Sequence, residues 1–313
     1  MKAKTKKAIK ITAIVFLTLV LAVGAYCGYV LLSYSRIEDR TPIAIENNKT
    51  EILDAEGEYT ITTYNVGFGA YGPEFSFFLD TGHMSDGTYV KGKYGKSISK
   101  ELTLRNTNGA IGEIEKLDSD IVILQEVDQK SSRAYKVNMY EMFKTALSDY
   151  SSSYASNFHT AYLPYPFNDP HGKTEAGLVT LSKYKINDTL RRSYPIADNL
   201  SKLFDLDRCF TVTRMPVSNG KELVLINSHM SAYDKGGVIR SAQLKMLNSV
   251  ISAEYSRGNY VIVGGDFNHI LSTEMVGHFP SGQQTPSWIA VLSDDDIPEG
   301  FSIVKATNRE DII

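Results

Sequence analysis

Four segments of this chain run as buried strands and then finish on groups that an apolar core rejects. YTITTYNVG (59–67) ends in Asn65, and DIVILQEVD (120–128) ends in Gln125, Glu126 and Asp128. ELVLINSHM (222–230) ends in Asn227, Ser228 and His229, and YVIVGGDFN (260–268) ends in Asp266 and Asn268. In sheets covered by helices, ligands gather beyond the strand ends, on the loops there. Four such ends converging would set Glu126, Asp266, Asn65, Asn268 and His229 around one cleft, two carboxylates, two amides and an imidazole. Taken singly, each residue has a local explanation, because Asp and Asn favour turns and caps. A lone histidine is more often a hydrogen-bonded structural group than a functional one. The shared pattern, rather than any one residue, carries the reading.

The rest of the chain supplies the helices such a sheet needs. GAIGEIEKL (109–117) spaces Ile111, Ile114 and Leu117 along one helical face, a second helical stretch lies near 136–149, and residues 238–256 form a third. In that third helix Leu244, Leu247 and Ile251 share a face, and Gly258 marks the stop. AGLVTLSKY (176–184) and CFTVTRMPV (209–217) read as further strands. With neither internal repeat nor low-complexity segment, this mixture predicts one α/β domain of about 250 residues with helices covering a sheet core. The polar set has a chemical sense. Glu126 offers hard carboxylate oxygens and Asn65 a neutral carbonyl, a donor set that suits Mg²⁺, with Mn²⁺ as the alternative ion. The chain has no CxxC, no HExxH and no histidine cluster, which argues against zinc. Asp266 is the candidate base for a water, and Asn268 and His229 are candidate donors to a phosphoryl group.

The first 40 residues stand apart. MKAKTKKAIK carries five lysines and no acid, and ITAIVFLTLVLAVGAYCGYVLL (11–32) follows without a charge. That length suffices to cross the hydrocarbon core, and AVGAYCGYV offers a poor cleavage site, so an uncleaved anchor is expected rather than a signal peptide. The lysines place residues 1–10 in the cytoplasm, and the domain on the outer face of the cell membrane. Residues 33–57 read as a polar stalk, and 58–313 as the domain. Of 33 basic and 36 acidic residues, seven and two lie within the first 40, leaving 26 and 34 beyond, a net of −8. An acidic exterior argues against tight non-specific nucleic-acid binding through a basic face. Cys27 lies in the apolar run and Cys209 stands alone in the domain, so the domain holds no disulfide of its own.

The motifs TYNVG, DIVILQEVD, INSHM and VGGDFN occur in an order that resembles the endonuclease/exonuclease/phosphatase family, across about residues 58–307. That resemblance implies a deoxyribonuclease I-like four-layer α/β/β/α sandwich of two packed β-sheets, here preceded by one transmembrane helix. It implies Asn65 and Glu126 as the metal-binding pair and His229 as the histidine that contacts the scissile phosphate. Asp266 becomes the aspartate that orients or deprotonates the attacking water, and Asn268 the amide that supports it. Arg208, in DLDRCFTV, matches a phosphate-binding arginine, and Glu175 matches a further acidic residue near the cleft. The family closes on a Ser-Asp-His motif, which this sequence lacks. LSDDDIP (292–298) is a superficial likeness inside an expected PSWIAVL helix, and FSIVKAT reads as a further strand. The last strands of the fold are therefore expected to be missing, with activity impaired in consequence. The implied function is a membrane-anchored, metal-dependent phosphodiesterase, with a nucleic-acid substrate slightly ahead of a phospholipid. The bilayer would be met through residues 11–32, and no protein partner can be inferred. The alternatives are a non-catalytic ectodomain that binds a phosphate ligand or protein partner, and a purely structural anchored domain.

Overall fold

The computed structural model describes residues 2–197, 207–232, 234, 236–270, 282–286 and 289–304. The elements are α1 (Lys2–Ser33), β1 (Thr41–Ile43), β2 (Ile45–Glu46), β3 (Ile61–Asn65), β4 (Thr81–His83), β5 (Tyr89–Lys91) and α2 (Lys100–Leu117). They continue with β6 (Ile121–Asp128), α3 (Met139–Ala146), β7 (Ser151–His159), β8 (Glu175–Ser182), β9 (Asp188–Ser193) and β10 (Cys209–Pro216). The last are β11 (Glu222–His229), α4 (Val238–Ser256), β12 (Tyr260–Asp266), β13 (His269–Ile270) and β14 (Ala290–Val291). Two five-stranded sheets dominate, in the orders β1-β9-β10-β11-β12 and β2-β7-β8-β6-β3. Each is antiparallel except for one parallel pair at its edge, β11 with β12 and β3 with β6. A parallel pair needs a long crossover, and α4 and α2 lie in the two connections.

Period-two alternation explains the layers. Along β6, in the second of these sheets, Ile121 and Ile123 face the first sheet and pack with Met215, Leu223 and Leu225. Val122 and Leu124 face outward, against Ala110, Ile111 and Ile114 of α2 and Met139 and Phe143 of α3. On the other sheet Val224 and Ile226 face outward onto Leu247 and Ile251 of α4. The expected α/β fold of packed sheets with helices outside is the one observed. The inner layer changes from apolar to polar towards one end. Gln125 Nε2 donates to Asn227 Oδ1 at 2.9 Å, and Asn227 Nδ2 donates to the carbonyls of Leu124 and Val179 at 3.1 and 3.0 Å. Both amides are almost fully buried. They are cross-sheet ties, not members of the cleft.

Several expectations change. Residues 33–57 are no free stalk: β1 pairs with β9 and β2 with β7, so the segment adds an edge strand to each sheet. Asp39 also accepts hydrogen bonds from Arg192 Nε and Ser193 N–H at 2.9 and 2.8 Å. The serine-rich β7, SSSYASNFH, carries no apolar run to announce it, yet it sits inside its sheet. The expected PSWIAVL helix is replaced at Ala290–Val291 by β14, paired with β13; Ser287 and Trp288 lie outside the described residues. Residues 301–304 of the expected FSIVKAT strand are not in a strand, and its remainder lies outside the described residues. LSDDDIP forms a short 3-10 turn over Asp294–Asp296, closed by reciprocal hydrogen bonds between Ser293 and Asp296.

A small aromatic cluster, Phe68, Phe75, Phe77 and Tyr94, forms its own core beside the sheets. His171, from the loop 161–172, packs edge-on against Phe77, with its Nδ1 2.7 Å from Gly95 O. Burial, with Arg133 adding repulsion, lowers its pKa to about 3.

Two outcomes follow from these contacts. Asn227→Ala strips Gln125 and two carbonyls of a buried partner and should lower stability by about 3 kcal/mol, read as a lower denaturant midpoint in detergent micelles. A neutral histidine that is protonated on unfolding contributes stability above the unfolded pKa, and that stability is lost as pH falls. Wild-type protein should therefore lose about 2 kcal/mol between pH 7 and pH 5 through His171. His171→Gln should flatten that slope.

Candidate active site

Alternation also decides which side chains reach the cleft. On β3, β11 and β12, Asn65, His229 and Asp266 share the parity of the inner-layer residues Ile61, Leu225 and Gly264. They therefore stand at the polar end of the space between the sheets. Glu126 does not share it: strict alternation would turn it outward with Val122 and Leu124. A bulge corrects this. The β6–β8 register slips between Leu124 and Val127, and Glu126 takes a left-handed backbone with φ 56°. Bulges re-aim side chains in this way beside functional sites, and a non-glycine residue in that conformation is uncommon.

Three of the polar groups join directly. Asn65 Nδ2 donates to Asp266 Oδ2 at 2.8 Å and lies 3.3 Å from Glu126 Oε1. Its Oδ1 accepts from Gly67 N–H at 3.0 Å. In this arrangement Asn65 braces two carboxylates with its nitrogen, while its oxygen serves the chain. Asp266 Oδ1 accepts from Asn268 N–H at 2.9 Å, and Asn268, with φ 51°, donates its side-chain amide to Met230 O at 3.0 Å. His229 Nε2 lies 3.7 Å from Asp266 Oδ2, and its Nδ1 is 3.4 Å from Asn157 Nδ2 on the opposite sheet.

The electrostatics follow from this packing. Burial and then Arg208 lower the His229 pKa to about 4, against the pull of Asp266, so the imidazole is neutral at pH 7. Burial works against the Asp266 carboxylate, but His229, the Asn65 amide, the Asn268 N–H and Arg208 together hold its pKa below the ordinary value. Asp266 is thus ionised and able to accept a proton. The two glycines before it serve the protein rather than a ligand. A Cβ on Gly265 would overlap the Ser228 backbone, and one on Gly264 would press on Ile123 Cδ1 at 2.6 Å.

Asn65, Glu126, Arg208, His229, Asp266 and Asn268 line one cavity of about 1010 Å³. Glu175 does not line it; its backbone is tied to Gln129 and Ser131 at the start of β8. The sequence reading missed Arg133. Its guanidinium grips Asp128 through two bonds of 2.9 and 2.8 Å, comes within 3.7 Å of Glu126 Oε2 and stacks 4.0 Å over the Phe68 ring. The available signal was Asp128 itself, since an acid closing a core strand requires a buried cation. Also unanticipated is the apolar wall of the cavity, with Phe77, Phe78 and Leu79 from the chain before α2 and Tyr26 from α1. The loop 161–172 contributes Leu163, Pro164, Tyr165 and His171 to the lining.

The donor set is one of hard oxygen atoms. Among the described residues no three His, Cys, Asp or Glu side chains are grouped so as to hold one metal ion, which does not suit zinc. Glu126 turns a carboxylate that is 23% exposed into the cavity, with Asp266 close by across Asn65. One or two carboxylates completed by water and substrate oxygens fit Mg²⁺ or Mn²⁺.

The chain is similar to known proteins. The inositol phosphosphingolipids phospholipase C of Schizosaccharomyces pombe is 26% identical over 209 residues, covering 62% of this chain. The chain spans 44% of that relative's length. Among solved structures, an endonuclease/exonuclease/phosphatase from Beutenbergia cavernae is 15% identical, with a TM-score of 0.45, over 68% of this chain and 48% of its own. Sphingomyelinase C from Streptomyces griseocarneus is 16% identical, with a TM-score of 0.41, over 70% of this chain and 68% of its own. Residues 62–301 match the endonuclease/exonuclease/phosphatase family, and they take in every strand that feeds the cleft. By that match over most of its length, the chain belongs to the endonuclease/exonuclease/phosphatase family.

Proposed function

We propose that this protein is a metal-dependent phosphodiesterase whose substrate is a lipid headgroup phosphodiester, anchored in the cell membrane by residues 11–32 with its domain outside. The observation that carries this reading is the two-ended cavity. Its polar end gathers Glu126, Asn65, Arg208, His229, Asp266 and Asn268, and its other wall is aromatic, with Phe77, Phe78, Tyr165 and Tyr26. A polynucleotide would meet a chain whose residues beyond 40 carry a net charge of −8, whereas a lipid phosphodiester brings an apolar body that such a wall accommodates. The sequence reading put nucleic acid slightly ahead; the aromatic wall reverses that order. The similarity to a phospholipase C points the same way.

In this reading Glu126 holds Mg²⁺ or Mn²⁺ beside Asn65, and the ion, when bound, neutralises charge on the phosphoryl oxygens. Asp266 takes a proton from a water as that water's oxygen bonds to phosphorus and the bond to the leaving oxygen breaks, with the departing oxygen taking a proton from solvent to leave as an alcohol. Neutral His229 and Asn268 donate to the non-bridging oxygens, and Arg208 supplies positive charge. Asn65 keeps the Asp266 carboxylate in place, and Arg133 does the same for the Glu126 side.

The test is turnover by the full chain in mixed micelles. Sphingomyelin and inositol phosphosphingolipid should be cleaved with Mg²⁺, and plasmid DNA much more slowly. EDTA should abolish cleavage. Asp266→Asn and Glu126→Gln should each lower kcat by 10³-fold or more, by comparison with other catalytic sets that act as a unit. Plasmid cleavage faster than lipid cleavage would overturn the substrate assignment, and metal-independent turnover would overturn the role of Glu126.

A further inference from the structure

The connection between α1 and the domain is short and clamped. Residues 3–25 of α1 are exposed, whereas Tyr26 and Gly28 are half-buried and Val30 is buried against the domain. Tyr26 Oη donates to Tyr162 O at 3.0 Å, and Tyr162 N–H donates to Tyr29 Oη at 3.2 Å. The chain that follows is strapped down at once. Ser35 Oγ lies 3.1 Å from His159 Nε2, Arg36 Nε donates to Asp207 Oδ1 at 3.2 Å, and Ile37 N–H donates to Asp207 Oδ2 at 2.9 Å. Arg36 also reaches Tyr194 O, and Asp39 pairs with Arg192. From the end of α1 at Ser33 to the first charged clamp at Arg36 the chain spans at most about 11 Å.

Length then fixes depth. The apolar stretch that the domain leaves uncovered, Ile11 to Ala25, is 15 residues, or about 22 Å of helix, against a hydrocarbon core of about 30 Å. The bilayer therefore needs every uncovered turn, and the turn carrying Tyr26, Tyr29 and Val30 falls at its surface, where tyrosines concentrate. No spacer is left to hold the domain away. The cavity opens beside this turn, since Tyr26 is one of its walls. Around it stand apolar groups directed into solvent: Leu79 at 49%, Tyr165 at 48% and Phe167 at 82% exposure, with Tyr165 and Phe167 ring centroids 5.9 Å apart.

We propose that the last turns of α1 and the strap from Tyr34 to Arg40 seat the domain rim-down on the bilayer. The cavity mouth, framed by Tyr26, Leu79, Tyr165 and Phe167, then draws its phosphodiester from the membrane that α1 crosses. This rests on the lipid phosphodiesterase reading above and adds its geometry: the anchor is a wall of the substrate cavity and an orienting device.

The full chain in phosphatidylcholine–sphingomyelin vesicles tests it with two independent readouts. In a Cys27→Ser background, a fluorophore is placed at Phe167→Cys on the rim or at Lys221→Cys in the β10–β11 turn. Lys221 precedes β11, whose far end at His229 lines the cavity that Tyr165 also lines, and a strand of that length spans about 25 Å. Nitroxide-bearing lipids should quench the label at position 167 at least threefold more than the label at 221. A ten-residue Gly-Ser insertion between Leu32 and Ser33 should erase that difference. The same insertion should lower sphingomyelin turnover in vesicles about tenfold relative to turnover of soluble bis(p-nitrophenyl) phosphate. Equal quenching at both positions in the uninserted chain, or an unchanged turnover ratio after insertion, overturns the seating. If neither substrate is hydrolysed, the phosphodiesterase reading fails, and the quenching comparison still decides the orientation.

Discussion

The amide pair Gln125–Asn227 is the interaction on which the rest depends. It lies where the layer between the sheets changes from Ile123, Leu223 and Leu225 to polar groups, and it answers the physical problem that change creates. Two buried amides facing each other across a sheet interface are costly unless satisfied, and these reach each other and two strand carbonyls. They fix the register of one sheet against the other, which sliding apolar surfaces alone would not. With that register set, Asn65 meets Asp266 at 2.8 Å and Asn157 approaches His229 at 3.4 Å. The cleft is the next layer of the same polar stack.

The β6 bulge adds the group that the register alone cannot supply. A regular strand would spend Glu126 on the helix-covered face, where a carboxylate has no partner. A left-handed residue costs about 1–3 kcal/mol, and Arg133, held by Asp128 and stacked on Phe68, stabilises the redirected carboxylate from behind. The departure from regular structure thus sits at the residue proposed to hold the cation.

Much of this was legible in the sequence because strand alternation and strand-end chemistry are local properties. Asn65, Glu126, His229, Asp266, Asn268 and Arg208 could be named in advance, and they meet in one cavity. What escaped is non-local. β7 is polar in composition and buried only because its neighbours cover it, and β1 and β2 gain their identity from partners more than 100 residues away. Gly264 and Gly265 precede a site residue, but the groups they make room for, Ile123 and Ser228, are set by sheet packing. Arg133 has no periodicity to mark it. The apolar run of α1 was legible as a helix long enough to cross a membrane, whereas the use of Tyr26 as a cavity wall depends on where the chain returns in space.

The division of the strands between the sheets has a wider consequence. The second sheet is built from strands between residues 45 and 182, and the first, apart from β1, from strands between 188 and 266. Asn65 and Glu126 come from the earlier half, and Arg208, His229, Asp266 and Asn268 from the later one. Neither half owns the cleft; it exists only where the two are docked. A ligand that touches both sides is therefore also mortar, binding the docked state and not the separated one. At a hundredfold excess over its Kd, such a ligand adds about 2.7 kcal/mol of cohesion to the seam. Occupancy of the site and the integrity of the fold are thus two readings of one equilibrium.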